Sequence, residues 1–260
     1  MSDTLESWSR PHFTPTDGKA LLFYAAFGAL DLTRSLDRSR YRTNGTPGGF
    51  KFTSYARDTH STVLAEFCQG YVWDELMNEN PELAAQIEAA PMCVVLRGEV
   101  AAPPTLDYLR DSVGMITYLF DAGACAVNDP QILRWWTDDE WRDEIFEPAG
   151  AVPRHHVTIL ISDEPDGAWI HTRGMRKFAR PDVSVRRVGA AHADAVFDLC
   201  NRFIEFQAFG GLPADGQAVR MGSLPDGGVV HHSGSLDDPD FNNVHLEVIW
   251  PRDELAGSED

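Results

Sequence analysis

The clearest alternation of apolar and polar side chains occupies residues 157 to 162, Val-Thr-Ile-Leu-Ile-Ser. The next five residues, Asp-Glu-Pro-Asp-Gly, are typical of a turn, and the alternation resumes over residues 168 to 172. Successive side chains of a strand point to opposite faces of its sheet. Trp169 and His171 would therefore share one face and Ile170 and Thr172 the other. The pattern predicts a β-hairpin.

Two longer segments carry apolar residues at steps of three and four, the period of a helix that lies on a sheet. In the first, after a predicted cap at Thr105 and before a stop at Gly123, they are Leu106, Leu109, Val113, Ile116 and Phe120. In the second, residues 191 to 209, they are Val196, Leu199, Cys200, Phe203 and Phe206. We expect both segments to be amphipathic helices.

Shorter signals complete the pattern of elements. Residues 61 to 77 predict a further helix, Asn80 and Pro81 begin another, and the Thr137 to Glu140 capping box begins a short one. Residues 21 to 32 fit either a strand or a short helix. Apolar runs predict strands at residues 92 to 96, 124 to 127, 218 to 221, 229 to 232 and 244 to 250.

Strands grouped around single helices and joined by hairpin-type turns predict an α+β fold, with a largely antiparallel sheet and the two long amphipathic helices packed on it. Residues 1 to 18, rich in Ser, Pro and Thr, predict an irregular N-terminal arm before a single domain at 19 to 260. The best linker candidate, residues 148 to 153, leaves open two halves, 19 to 147 and 154 to 252.

Composition sets limits on the function. The chain has 260 residues, of which 43% are hydrophobic, so it can fill a sizeable core, and its formal net charge is −18. Because a nucleic-acid binder needs a basic face, the charge argues against nucleic acid and against anionic membranes, and leaves a basic protein partner open. The sequence has neither a signal-peptide pattern nor a run of ~20 apolar residues, which predicts a cytoplasmic protein.

The candidate chemistry is a local excess of positive charge. Residues 173 to 187 contain six cations and one acid, Asp182. Arginine can hold phosphate or carboxylate through two parallel hydrogen bonds. Runs of charge more often pair with acids of the same chain, which is the favoured interpretation of these arginines. If the last strands lie beside the hairpin, a predicted anion site comprises His171, Thr172, Arg173, Arg176, Lys177, Arg180 and His232.

Other chemistry finds less support. The pairs at 155 to 156 and 231 to 232 could each offer only one imidazole to a common site if they lie in strands, and no metal or other cofactor is predicted. The glycine-rich residues 43 to 49 lack the lysine ending of a P-loop. Cys200 lies on an apolar stripe and Ser233 has no nucleophile elbow, so we predict no catalytic nucleophile. Four widely separated cysteines without a Cys-x-x-Cys pair predict reduced thiols.

Residues 169 to 182, Trp-Ile-His-Thr-Arg-Gly-Met-Arg-Lys-Phe-Ala-Arg-Pro-Asp, resemble a motif of a bacterial family catalogued as a domain of unknown function. The likeness extends to residues 96 to 98 and 134 to 141 and so covers roughly residues 92 to 210. Ala179 stands where the family has Gly. The resemblance implies a bacterial, cytoplasmic α+β protein and names no reaction.

Two functions remain open from the sequence. The first is a non-catalytic binding protein with an acidic surface and a local cationic patch, whose protein partner could be basic, as for toxin-neutralising immunity proteins. The second is an enzyme acting on a small phosphorylated or carboxylated substrate at the Arg173 to Arg180 cluster, with His171 or Asp182 as acid or base.

Overall fold

A computed structural model describes residues 5 to 251 and residue 255. The chain forms two compact units. Unit 1 comprises Met1–Ser9 and Leu21–Val152, and unit 2 comprises Arg10–Ala20 and Pro153–Asp260. Each contains a five-stranded sheet together with helices, which confirms the α+β class. The main division falls at the end of the segment that the sequence marks as a linker.

The sheet of unit 1 has the strand order β2-β3-β1-β4-β5. The strands are β1 (Lys19–Gly28), β2 (Phe50–Ala56), β3 (Met92–Ala101), β4 (Ala124–Asp129) and β5 (Arg134–Trp136). The helices are α1 (Arg57–Phe67), α2 (Tyr71–Glu79), α3 (Pro81–Ala89), α4 (Asp107–Asp121) and α5 (Asp138–Trp141), and α5 continues into a π-helix at Arg142–Phe146. The segment that fitted a strand or a helix is therefore a strand.

Local chemistry explains where several of these helices begin and end. The Asn80 side chain accepts a hydrogen bond from the Leu83 amide, and Thr137 with Glu140 forms the capping box, so both predicted starts are confirmed. The single helix predicted over residues 61 to 77 is wrong, because the chain breaks at Gly70, whose φ is +80°. The Thr105 cap is also wrong: α4 begins after Leu106 without a side-chain cap.

Aromatic side chains fill much of the core of unit 1. Trp135 packs against Phe27 and Trp73, with ring centroids 5.4 Å and 5.8 Å apart. Trp141 is fully buried and donates its indole N–H to the Thr117 hydroxyl at 3.0 Å, which satisfies the polar atom of each side chain. The core therefore ties α2, α4 and α5 to the sheet through large rigid rings.

Gly114 permits the close approach of α4 to a neighbouring loop. A Cβ at this position would lie 2.0 Å from the Tyr41 carbonyl oxygen and 2.8 Å from Cβ of Thr43. Because the backbone has to move to admit the methyl group, we expect Gly114→Ala to lower the free energy of unfolding by about 2 kcal/mol. Urea denaturation measures the change. Gly150→Ala is the control, since its Cβ would meet nothing within 4 Å, and equal stability of the two variants would contradict the close approach.

The sheet of unit 2 has the strand order β6-β7-β8-β10-β9. Its strands are β6 (Thr158–Glu164), β7 (Gly167–Arg173), β8 (Asp182–Val188), β9 (Val229–Gly234) and β10 (Val244–Ile249). The pairings are antiparallel except for β8 with β10. The predicted hairpin is confirmed as β6 and β7. The strand predicted over residues 218 to 221 is wrong, since only an isolated bridge joins Ala218 to Val229.

One long helix, α6 (Ala193–Ala208), packs on one face of this sheet. Val196, Leu199 and Cys200 of the helix join the buried cluster with strand residues such as Ile170 and Leu246. Phe206, predicted on the core face, is 42% exposed. The opposite face of the sheet carries Trp169 and His171, whose rings stack on each other.

Candidate functional site

The predicted anion site centres on the connection from β7 to β8. His171, Thr172 and Arg173 end β7, and Arg176 and Lys177 lie in a short 3-10 helix at Met175–Phe178. Arg180 follows that helix directly before β8, whereas His232 lies on β9. The connection thus places six of the seven predicted residues within one loop and its preceding strand.

A buried carboxylate holds this connection together. Asp182 is fully buried and accepts hydrogen bonds from the Thr172 hydroxyl at 2.9 Å, the Met175 amide at 3.1 Å and the Asn243 side-chain amide at 2.8 Å. Burial raises the pKa of Asp182 to about 6, against the lowering effect of these three donors. Thr172 and Asp182 therefore hold the two ends of the β7 to β8 connection together.

Arg180 is only 2% exposed, and its guanidinium faces backbone carbonyls. It donates to the carbonyl oxygens of Gly211 and Ala179 at 2.9 Å, Thr14 at 2.8 Å and Gly210 at 2.6 Å. Since a guanidinium has five N–H donors, most of its capacity is used inside unit 2. This corrects the predicted surface role of Arg180: it fastens residues 10 to 20 to the end of α6.

The remaining cations of the loop differ in exposure. Lys177 is fully buried, so it is not part of a surface patch. Arg173 and Arg176 are half-buried and donate to the carbonyl oxygens of Asp240 and Asn242, both at 3.0 Å. The predicted cationic patch therefore retains Arg173 and Arg176, and both already bind the loop that precedes β10.

His171 lies in a row of stacked side chains on the open face of the sheet. Its ring stacks on Trp169 with centroids 3.8 Å apart, and the guanidinium carbon of Arg186 lies over the indole, 4.0 Å from the ring centroid. Phe241 packs edge-on against His171 and stacks on His245. Burial lowers the pKa of His171 to about 4, so the imidazole is neutral near pH 7. The row is a packed structural surface.

His232 does not belong to this group. Its strand β9 is separated from β7 by β10 and β8, which corresponds to about 14 Å at the usual strand spacing. The imidazole Nε2 lies 2.8 Å from the Pro213 carbonyl oxygen, and the backbone amide donates to Asp215. The seven predicted residues therefore do not converge on one anion site.

Other reactive groups lie in apolar surroundings. Burial raises the pKa of the Cys93 and Cys200 thiols to about 12. Cys68 and Cys125, which we expected to be buried as well, are half-buried. Among residues 5 to 251, no three His, Cys, Asp or Glu side chains are grouped so that they could hold a metal ion. None of the helices in the described part of the chain is long and apolar enough to cross a membrane.

Unit 1 contains a cavity of about 170 Å³ lined by Trp8, Tyr41, Arg42, Arg110 and Phe146, among others. Arg42 donates to the carbonyl oxygen of Phe146, the last residue of the π-helix, and to those of Glu147 and Pro148 beyond it. Arg110 donates to the Glu6 carbonyl and to the Asp111 carboxylate. The volume is below the roughly 300 to 1,000 Å³ of typical small-molecule sites. Through these hydrogen bonds, both guanidinium groups stabilise the walls of the cavity.

A broad acidic surface lies on α1, α2 and α3, and it was not predicted from the sequence. Seven exposed carboxylates, which we call the acidic layer, belong to Asp58, Glu66, Asp74, Glu75, Glu79, Glu82 and Glu88. Arg57 is the only Lys or Arg among residues 57 to 89, and its guanidinium donates to the Ile87 and Ala90 carbonyls. Tyr71 is 73% exposed within this layer, and its hydroxyl donates to Glu75 at 3.1 Å. A count of acids and cations along residues 57 to 89 would have identified it.

No family model, curated protein or solved structure matches this chain. The resemblance of residues 169 to 182 to a bacterial domain family therefore stays a prediction. These residues have a structural role, because the hydrogen bonds of Thr172, Arg180 and Asp182 hold the β7 to β8 connection in place.

Proposed function

We propose that the protein is a non-catalytic binding protein that uses the acidic layer of α1, α2 and α3 to hold a cationic protein partner. The observation that carries the proposal is the seven exposed carboxylates on three short helices whose only Arg or Lys is tied to backbone carbonyls. Such a surface attracts a basic partner and speeds its association.

The surroundings of the acid–base candidates support a binding role over catalysis. Asp182 is enclosed by three hydrogen-bond donors. His171 stacks on Trp169 and contacts Phe241 edge-on, and burial lowers its pKa to about 4. A general base works best with a pKa near the operating pH and within reach of a substrate proton. These two side chains instead serve the packing of unit 2.

Tyr71 gives the acidic layer a contact residue besides its charge. Exposed aromatic side chains are enriched among the residues that dominate binding energy, because they bury a large area at small cost in conformational entropy. Tyr71 lies on the same helical turn as Asp74 and Glu75. A partner with an apolar pocket flanked by Lys or Arg would match all three.

The proposal predicts that partner capture depends on α2. We expect the triple variant Asp74→Asn, Glu75→Gln, Glu79→Gln to bind its partner at least about tenfold more weakly at ~0.15 M salt, a loss of roughly 1.4 kcal/mol. Tyr71→Ala should weaken binding by a similar factor. Affinity capture from a cell lysate, followed by titration of the recovered protein against each variant, measures both effects.

A matched control removes the same charge elsewhere. Asp194, Asp198 and Glu205 are exposed on α6. Their replacement by Asn, Asn and Gln should change the affinity less than about twofold, since they are not part of the acidic layer. Equal losses in both triple variants would mean that only the overall charge matters. Recovery of the same proteins by all variants, or of none by wild type, would contradict the proposal.

A further inference from the structure

The two edge strands of the sheet in unit 2, β9 and β6, differ in whether another segment of the chain covers them. The outer edge of β9 is covered by the preceding segment, since Gly216 and Val219 donate to the backbone of Val230 and Gly228, and Val230 donates to Gln217. The other edge is β6, which pairs only with β7. A strand at a sheet edge presents a row of backbone groups that can pair with another chain.

The register of the hairpin shows which groups of β6 point outward. Opposite residues of an antiparallel pair alternate between those that exchange two hydrogen bonds and those that exchange none. The two-residue turn is closed by Glu164 and Gly167, which form the first hydrogen-bonded pair. The residues whose N–H and C=O groups point away from β7 are therefore Ile159, Ile161 and Asp163. Within the described part of the chain, no backbone or side-chain group hydrogen-bonds to these outward groups.

The side chains of this edge lack the usual protection against pairing. Natural edge strands are blunted by Lys, by Pro or by a bulge. Residues 157 to 162 contain neither Lys nor Pro, and the β6 to β7 register runs without a shift. Ile161 is 57% exposed at the middle of the strand. The edge is thus regular and open, and it is apolar over Ile159, Leu160 and Ile161, before the acidic Asp163 and Glu164.

We propose that a second copy of this chain occupies the edge, with the two β6 strands antiparallel about a two-fold axis at Ile161. This register sets Ile161 opposite its own copy, Leu160 opposite Ser162, and Ile159 opposite Asp163. The outward N–H and C=O groups of each copy meet those of the other, and the two sheets join into one of ten strands. The exposed Ile161 side chains are buried against each other.

Charge along the strand favours this antiparallel arrangement. The C-terminal end of β6 is acidic, with Asp163, Glu164 and Asp166, whereas exposed Arg154 and half-buried His155 precede its N-terminal end. Antiparallel pairing brings the acidic end of each copy toward the basic end of the other. Parallel pairing would instead set acid beside acid, which opposes association. The opposite charges at the two ends of β6 therefore favour a two-fold dimer over parallel pairing.

Sedimentation velocity over a range of concentrations tests the dimer. The wild-type chain is expected to shift to twice the chain mass as concentration rises, and the shift should be more complete at high ionic strength, since the net charge of −18 on each copy then repels less. Ile161→Lys should weaken the dimer at least about tenfold because it sets like charges opposite each other at the axis. Leu236→Lys is the control: Leu236 is 54% exposed in the same unit and lies outside the strand, so its dimer should be unchanged.

A charge-pair experiment distinguishes this register from any other interface. Ile161→Lys and Ile161→Glu proteins should each be monomeric alone and should form a mixed dimer when combined, because the axis then carries opposite charges. The proposal would be overturned if the wild-type chain stayed monomeric at every concentration. This includes the case in which the β6 amides of the monomer become protected from exchange only when a different protein binds. A dimer that survives Ile161→Lys unchanged would overturn it equally.

Discussion

Arg180→Met is expected to lower the free energy of unfolding by about 3 to 5 kcal/mol, the largest effect of any substitution considered for this chain. The thioether has no donor, so the carbonyl oxygens of Thr14, Ala179, Gly210 and Gly211 would each lose the bond that Arg180 supplies. Chemical denaturation measures the loss. Because Arg180 holds Thr14, the variant should also be cleaved faster by a protease within residues 10 to 20.

Arg202→Met is the matched control for Arg180. Arg202 is exposed on α6 and pairs with Asp198 one helical turn away, so its replacement should change stability by no more than about 0.5 kcal/mol. If Arg180→Met were as stable as this control, the guanidinium would be a surface group after all, and the predicted anion patch would regain it.

Asp182→Ala is expected to destabilise the protein by about 3 kcal/mol at neutral pH. The substitution removes the acceptor of the Thr172 hydroxyl, the Met175 amide and the Asn243 side chain, all of which are buried. The substitution also removes the cost of burying a charged carboxylate, which offsets part of this loss. The three donors are nevertheless left without a partner. Asp237→Ala, in an exposed turn, is the control and should be near neutral.

The pH dependence of stability provides a second test of the buried Asp182. Burial raises the pKa of Asp182 to about 6 from the ordinary 3.8. At a pH between these two values, the carboxyl group is protonated in the folded state and ionised in the unfolded state. This stabilising contribution is fully present below about pH 4 and is lost as the pH rises through 6. The stability of wild type relative to Asp182→Asn should therefore fall from pH 4 to pH 7. A constant difference over that range would mean that Asp182 titrates normally.

The fold class could be predicted because it depends on local patterns. The β6 to β7 hairpin follows from its alternation and its Pro-Asp-Gly turn, and the caps at Asn80 and Thr137 follow from their side chains. The break at Gly70 could not be foreseen, since a single glycine is tolerated in many helices. The assignment of residues 10 to 20 to unit 2 depends on contacts with residues more than 150 positions away, such as Arg10 to Ala208 and Arg180 to Thr14.

The candidate site was harder to predict because charge along a sequence does not show exposure. Arg173, Arg176, Lys177 and Arg180 read as one patch, yet Lys177 and Arg180 are buried and the other two bind backbone carbonyls. The acids of α1 to α3 are spread over 31 positions from Asp58 to Glu88, so no short motif marks them. The three helices pack into one buried cluster through Leu64, Trp73 and Leu83, so the fold places these acids around a common core.

Hydrogen–deuterium exchange of the protein, alone and with its captured partner, tests the binding role of the acidic layer most directly. We expect slower exchange of the amides of residues 57 to 89 in the complex, with residues 169 to 182 unchanged. Protection of residues 169 to 182 with no change in residues 57 to 89 would contradict it.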